Sequence, residues 1–144
     1  MRMARREGIV GNKKLVLYDK SDNTSITGGW GGQRYTLSAS GITLSTVGAS
    51  TSRAVCYILS GIDMTAYKKL CFTVTEASGG PIVTRRGGLS TAINTTPSVY
   101  YDITSTGKYV IDTSSITGNR YVTFWCEPNY NPASTTIIEK VWLE

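Results

Sequence analysis

The stretch Arg120-Tyr121-Val122-Thr123-Phe124-Trp125-Cys126-Glu127 decides the fold. In an extended chain Val122, Phe124 and Cys126 fall on one side, and Tyr121, Thr123, Trp125 and Glu127 on the other. Side chains alternate across a strand, so only one of these sides can be core. Residues 69–76 read the same way: Leu70, Phe72 and Val74 share one face, and Lys69, Cys71, Thr73 and Thr75 the other. Working outward, apolar runs recur about every 8 to 15 residues, separated by turn residues. The runs predict about nine strands, ten with the weakest at 42–46: 14–18, 33–39, 42–46, 53–59, 69–76, 81–86, 98–103, 108–112, 120–127 and 135–143. Many short strands at this spacing predict an all-β, antiparallel sandwich. Leu15, Leu17, Leu70, Phe72, Val74, Val122, Phe124, Val141 and Leu143 are its expected core.

The punctuation agrees. Gly28, Gly29, Gly31 and Gly32 flank Trp30, while Ser78-Gly79-Gly80-Pro81 and Arg86-Gly87-Gly88 read as turns. Ile62 to Tyr67 reads as a single helical or 3₁₀ turn, with Asp63 placed to cap it. A single domain is expected over 14–144, behind a basic arm at 1–13.

Composition supports this and excludes several chemistries. The chain is rich in Ser and Thr, carries 15 glycines, and is only 17% charged. It contains no histidine, which removes Ser-His-Asp and Cys-His nucleophiles, His-ligated zinc and imidazole acid–base catalysis. Cys56, Cys71 and Cys126 sit in apolar runs at spacings that match no zinc or redox motif. They read as small reduced core residues, with one disulfide as the alternative. The net charge of +5 is concentrated at the start, where Arg2, Arg5, Arg6, Lys13 and Lys14 face the single acid Glu7. A near-neutral body behind a basic tail is not the charge distribution of a nucleic-acid-binding domain. The tail reads as a solvated arm or as a docking arm that orders on assembly. No apolar run of signal-peptide length follows the charged start, and none approaches the roughly 18 residues of a membrane span. Synthesis in a cytoplasm, with no membrane contact, is expected.

Several residues are candidates for binding. Trp125 and Tyr121 lie on the non-core side of their strand, where aromatic rings can stack on sugar rings. Glu127, Asn129 and Asn131 follow at once and can hydrogen-bond the sugar hydroxyls. A subunit interface, or packing within the chain, are the other readings of the same side. Trp30, between glycine pairs, is either presented as an anchor or tucked away as a packing residue. Arg85 and Arg86 point to opposite faces, so at most one is on a shared binding surface, where it can fork onto carboxylates of acidic sugars or of a partner; the other reading is a solvated strand end. Alternation packs Tyr101 with Val99 and Ile103, leaving Tyr100 and Asp102 outward. The acids are scattered, with no dense calcium loop. No carboxylate pair with glycosidase spacing is nominated, so no enzyme activity, no cofactor and no metal site is expected.

Three pieces of the chain carry a family resemblance. They are Leu17-Tyr18-Asp19-Lys20-Ser21-Asp22-Asn23-Thr24-Ser25-Ile26-Thr27-Gly28-Gly29-Trp30, then Gly61-Ile62-Asp63-Met64-Thr65-Ala66-Tyr67-Lys68-Lys69-Leu70, then Tyr101-Asp102-Ile103 with Ile116-Thr117-Gly118 and the ending Ile138 to Glu144. Together they resemble small β-sandwich modules in structural proteins of tailed phages and prophages of gut Firmicutes. These modules are similar to the galactose-binding-like jelly rolls of carbohydrate-binding modules. The resemblance implies a jelly roll in a virion or surface-adhesion setting, without catalysis. It implies other virion proteins as partners, a homo-oligomer with a trimer favoured, and a place in capsid decoration, a head fibre or the tail. It also implies a possible surface polysaccharide ligand, and a structural calcium near Asp102 as in some related-looking jelly rolls. The alternative function is a glycan-binding adhesion module recognising host cell-wall or mucus polysaccharide.

Overall fold

The computed structural model describes residues 14–21, 24–25, 28–46, 52–79, 82–128 and 133–144, the side chains at 24–25 and 82–83 aside. The basic-arm residues Arg2, Arg5, Arg6 and Lys13, and the loop residues Asn129 and Asn131, lie outside these residues.

Among the described residues thirteen strands run in chain order: β1 (Leu15–Asp19), β2 (Thr24–Ser25), β3 (Trp30–Gln33), β4 (Tyr35–Ser38), β5 (Gly41–Thr46), β6 (Ala54–Ile58), β7 (Ile62–Asp63), β8 (Lys69–Gly79), β9 (Ile82–Ser90), β10 (Val99–Asp102), β11 (Gly107–Asp112), β12 (Asn119–Pro128) and β13 (Ser134–Leu143). They form two antiparallel sheets packed face to face. The first has the order β11-β8-β13-β1-β2, with β5 also against β13 and β4 against β5. The second has the order β10-β9-β12-β6-β3, with β7 also against β12. The pairs nest: β9 with β10, β8 with β11, β6 with β12, β1 with β13. A hairpin wrapped in this way is a jelly roll.

The strand count exceeds the expected nine for local reasons. The run at 33–39 is broken at Arg34, whose φ of 54° lies in the left-handed region and ends one strand before the next begins. β2 and β7 are two residues each, too short to show any periodicity. The 3₁₀ turn Met64–Ala66 is capped as expected, the Thr65 amide donating to Asp63 Oδ1 at 3.0 Å.

The core lies between the sheets. Leu17, Leu70, Phe72, Val74, Val122, Phe124, Val141 and Leu143 are all buried in it, and Leu15 packs at its margin. Phe72 from one sheet meets Phe124 from the other edge-on, 5.1 Å between centroids. This pair explains a misread glycine. Arg86-Gly87-Gly88 is not a turn but the middle of β9. A Cβ on Gly87 would stand 2.7 Å from Phe72 Cζ and 2.9 Å from the Phe124 ring. The glycine is there to admit two phenyl rings, not to bend the chain. Cys56, Cys71 and Cys126 are all buried and free. Burial pushes the Cys126 thiol up to about 11 and raises those of Cys56 and Cys71 as well. These are inert, packed thiols rather than reactive ones.

Candidate functional site

Registers across the second sheet place its outward side chains in rows. One row reads Gln33, Val55, Trp125, Arg86, Asp102. The next reads Gly31, Tyr57, Thr123, Gly88, Tyr100. Tyr121 lies beyond, opposite Ser90. Five neighbouring strands span about 19 Å at the usual strand spacing. The face therefore collects Tyr57, Tyr100, Tyr121 and Trp125, with charged groups between and beside them.

The charges are fixed by the rings. The Arg53 guanidinium lies over the Trp125 ring, 4.9 Å from its centroid, and that of Arg86 over Tyr100 at 4.0 Å. Arg86 Nε also donates to Asp102 Oδ1 at 3.1 Å. The Trp125 indole N–H donates to Glu127 Oε1 at 2.8 Å. Tyr100 is 38% exposed and Leu59, at the margin, 46%. In the middle of the face Ser90 and Thr123 are fully buried. There the 91–98 connection folds back, with Ser90 Oγ donating to the Thr95 carbonyl at 2.8 Å.

The expected binding residues are thus partly brought together. Tyr121, Trp125 and Glu127 share this outward face, as the alternation predicts. Trp125, however, is only 2% exposed, because Arg53 and its neighbours cover it. The ring lies beneath the Arg53 guanidinium, with its indole N–H held by Glu127. Trp30 is not presented by its glycine loop. It points inward on β3 and joins the core, its ring 6.4 Å from that of Phe124. Among the described residues its buried indole N–H has no acceptor. Tyr101 has the inward parity expected of it but lies at the sheet edge, 51% exposed, its ring centroid 6.4 Å from that of Tyr109. Arg85 is not at a solvated strand end but buried. Asp102 meets a guanidinium, which does not fit a calcium ligand, and among the described residues no three His, Cys, Asp or Glu side chains converge.

Arg53 and Tyr57 escaped the sequence reading. The signal was present: Arg53, Val55, Tyr57 and Leu59 alternate onto one side of 53–59. Only the pairing of β6 with β12 reveals that this side and the Trp125 side are the same surface.

The outward face of the first sheet holds another tryptophan. Trp142 lies in a row with Val110, Cys71 and Val16. The ammonium groups of Lys140, Lys108 and Lys14 stand 5.0, 5.3 and 5.7 Å from its ring centroid, and its indole donates to Glu144 Oε2 at 2.7 Å. Lys14, assigned from sequence to the assembly arm, is therefore part of this cover. Beside it, a niche of about 240 Å³ is lined by Asp19, Lys20, Ser21, Glu139 and Lys140. Its charges neutralise one another, with Lys20 3.0 Å from Glu139 and Lys140 3.8 Å from Asp19. That leaves the niche little to offer a ligand. The tyrosine-bearing face is the better candidate. Neither a family model nor a curated protein matches this chain.

Proposed function

We propose that the chain is a non-catalytic glycan-binding module, recognising host cell-wall or mucus polysaccharide through the outward face of β3, β6, β12, β9 and β10. One observation carries this reading: four aromatic residues, Tyr57, Tyr100, Tyr121 and Trp125, share a face with two guanidinium groups and two carboxylates. A sugar has an apolar ring face and a rim of hydroxyls. It is bound by aromatic rings beside planar hydrogen-bonding groups, and this face supplies both. Single-site affinity for a sugar is weak, and display of many copies on one particle raises it through avidity.

The test is direct binding of purified cell-wall polysaccharide and mucin glycans to the full chain and to Tyr100→Ala and Arg53→Ala. Both side chains are on the surface, so both variants keep the fold. Loss of binding in both, with unchanged melting, is the expected outcome. Undiminished binding in both removes this face from the account.

A second reading, a virion structural subunit that assembles as a homo-oligomer, is favoured by a different observation. The edge strands β10 and β11 expose Tyr101 (51%) at the rim of the sandwich, with Tyr100 (38%) and Val110 (38%) beside it on the two outer faces. Exposed edges with large apolar side chains are suited to pairing with another copy. Light scattering after size exclusion should give a trimer or larger ring under this reading, and a monomer at high concentration contradicts it. The two readings are compatible in one particle.

A further inference from the structure

We propose that the end of the sandwich closed by Arg85 is an oxyanion site, taking a carboxylate or phosphate group. Arg85 has the inward parity of Gly87 and Leu89 on β9 and is 8% exposed. Its Nη2 donates to the Ser78 carbonyl at 2.8 Å, while its buried Nε has no acceptor among the described residues. A guanidinium keeps its charge at every ordinary pH, so burial cannot be relieved by losing the proton. A buried charge is stable when an opposite charge or hydrogen bonds meet it, and an anion would supply both.

The described part of the chain does not supply one. The carboxylates nearest in register are already engaged: Glu76 accepts from Ser78 Oγ, Asp102 from Arg86, and Glu127 from Trp125. No ion pair to Arg85 occurs among the described residues. The sequence joining the strands that end here, at 47–51, 80–81 and 129–132, contains no Asp or Glu. Uncharged polar groups lie at the same end in register. Cys126 is its register partner, with Sγ 3.7 Å from Thr136 Oγ1, and the hydroxyls of Thr46 and Ser134 are 2.6 Å apart. Hydroxyl groups around a guanidinium with a free N–H are complementary to an oxyanion, which accepts from both. This site lies between the sheets and does not depend on the glycan reading.

The experiment titrates sodium acetate, sodium phosphate and sodium chloride at constant ionic strength into the ¹⁵N-labelled full chain. It follows the Arg85 Nε–H resonance, assigned with Arg85→Lys, and the melting temperature. Acetate or phosphate, and not chloride, should move that resonance saturably and raise Tm by about 3–6 °C. The anion that does so separates a carboxylate ligand from a phosphate ligand. Arg85→Gln should lose the dependence, and if that variant fails to fold, the resonance in the unchanged chain still decides. Insensitivity to both oxyanions, or an equal response to chloride, overturns the proposal. So does a resonance that shifts in Glu7→Gln or Asp22→Asn, which would place the counter-ion within the chain.

Discussion

Trp125 and Trp142 occupy matching positions on opposite outer faces of the sandwich. Each is followed by a core residue, Cys126 or Leu143, and then by a glutamate that accepts its indole proton. Each is almost fully covered by cations. The surroundings differ. Trp142 is roofed by Lys14 just before β1, Lys108 on β11 and Lys140 on its own strand, and its row is otherwise aliphatic or thiol: Val110, Cys71 and Val16. Trp125 is roofed by a single arginine, and its neighbours in the adjoining rows are tyrosines. Three mobile lysine stems shield an apolar surface and repel a second copy, which is how sheet faces stay apart. One exposed arginine beside tyrosines presents a planar hydrogen-bonding group next to aromatic rings. The same Trp-x-Glu pattern thus serves shielding on one face and, in this account, recognition on the other.

The largest expected effect calibrates both faces. Phe124→Ala, in the core between them, should cost about 3–5 kcal/mol in chemical denaturation. A loss below about 1 kcal/mol would mean the ring is not packed as described. Next come the two tryptophans themselves. Trp125→Ala and Trp142→Ala should each cost about 3 kcal/mol, because each removes a nearly buried ring. Only Trp125→Ala should abolish glycan binding. Equal loss of binding in both variants breaks the comparison.

Acid should then separate the faces. The Trp142 indole holds the Glu144 carboxyl below its ordinary 4.5, and hydrogen bonds from Ser21 and Ser114 lower Asp19 and Asp112 below 3.8. Each folded-state value lies below the unfolded one, so the folded state binds fewer protons. The contribution is complete above about pH 4.5 and is lost as pH falls through the lowered values. Glu144→Gln should flatten that acid dependence, measured by melting at a series of pH values. An unchanged slope would show that Glu144 contributes nothing to it. The smallest effect is expected from Lys108→Met, which removes one of three like charges around Trp142. It should change stability by no more than about 0.5 kcal/mol. A larger loss would mean that the lysines act as a unit.

How far the sequence carries can be judged at particular residues. Alternation at 69–76 and 120–127 fixes both the sandwich and the outward direction of Trp125, because a strand has only two sides. It does not reveal what covers Trp125. Arg53 is brought there by the pairing of β6 with β12, a contact between distant parts of the chain. Gly87 misleads because a glycine forced by two phenyl rings from other strands looks, in sequence, like a turn glycine. Trp30 was legible only as a choice between presented and tucked away, and the core settled it by offering Phe124 as a neighbour. Arg85 and Arg86 divide between inside and outside as alternation requires. The burial of Arg85 depends on β9 running on to Ser90, past the point where the glycine pair suggests a stop.

The central claim is that glycan meets the Trp125 face and not the Trp142 face. The two indole N–H resonances report on it side by side in one sample. With ¹⁵N-labelled chain and added cell-wall oligosaccharide, the account predicts a saturable shift of the Trp125 indole and of the Tyr57 and Tyr100 amides, with the Trp142 indole unmoved. A shift of Trp142 with Trp125 unmoved, or no shift of either with every glycan tried, would contradict it.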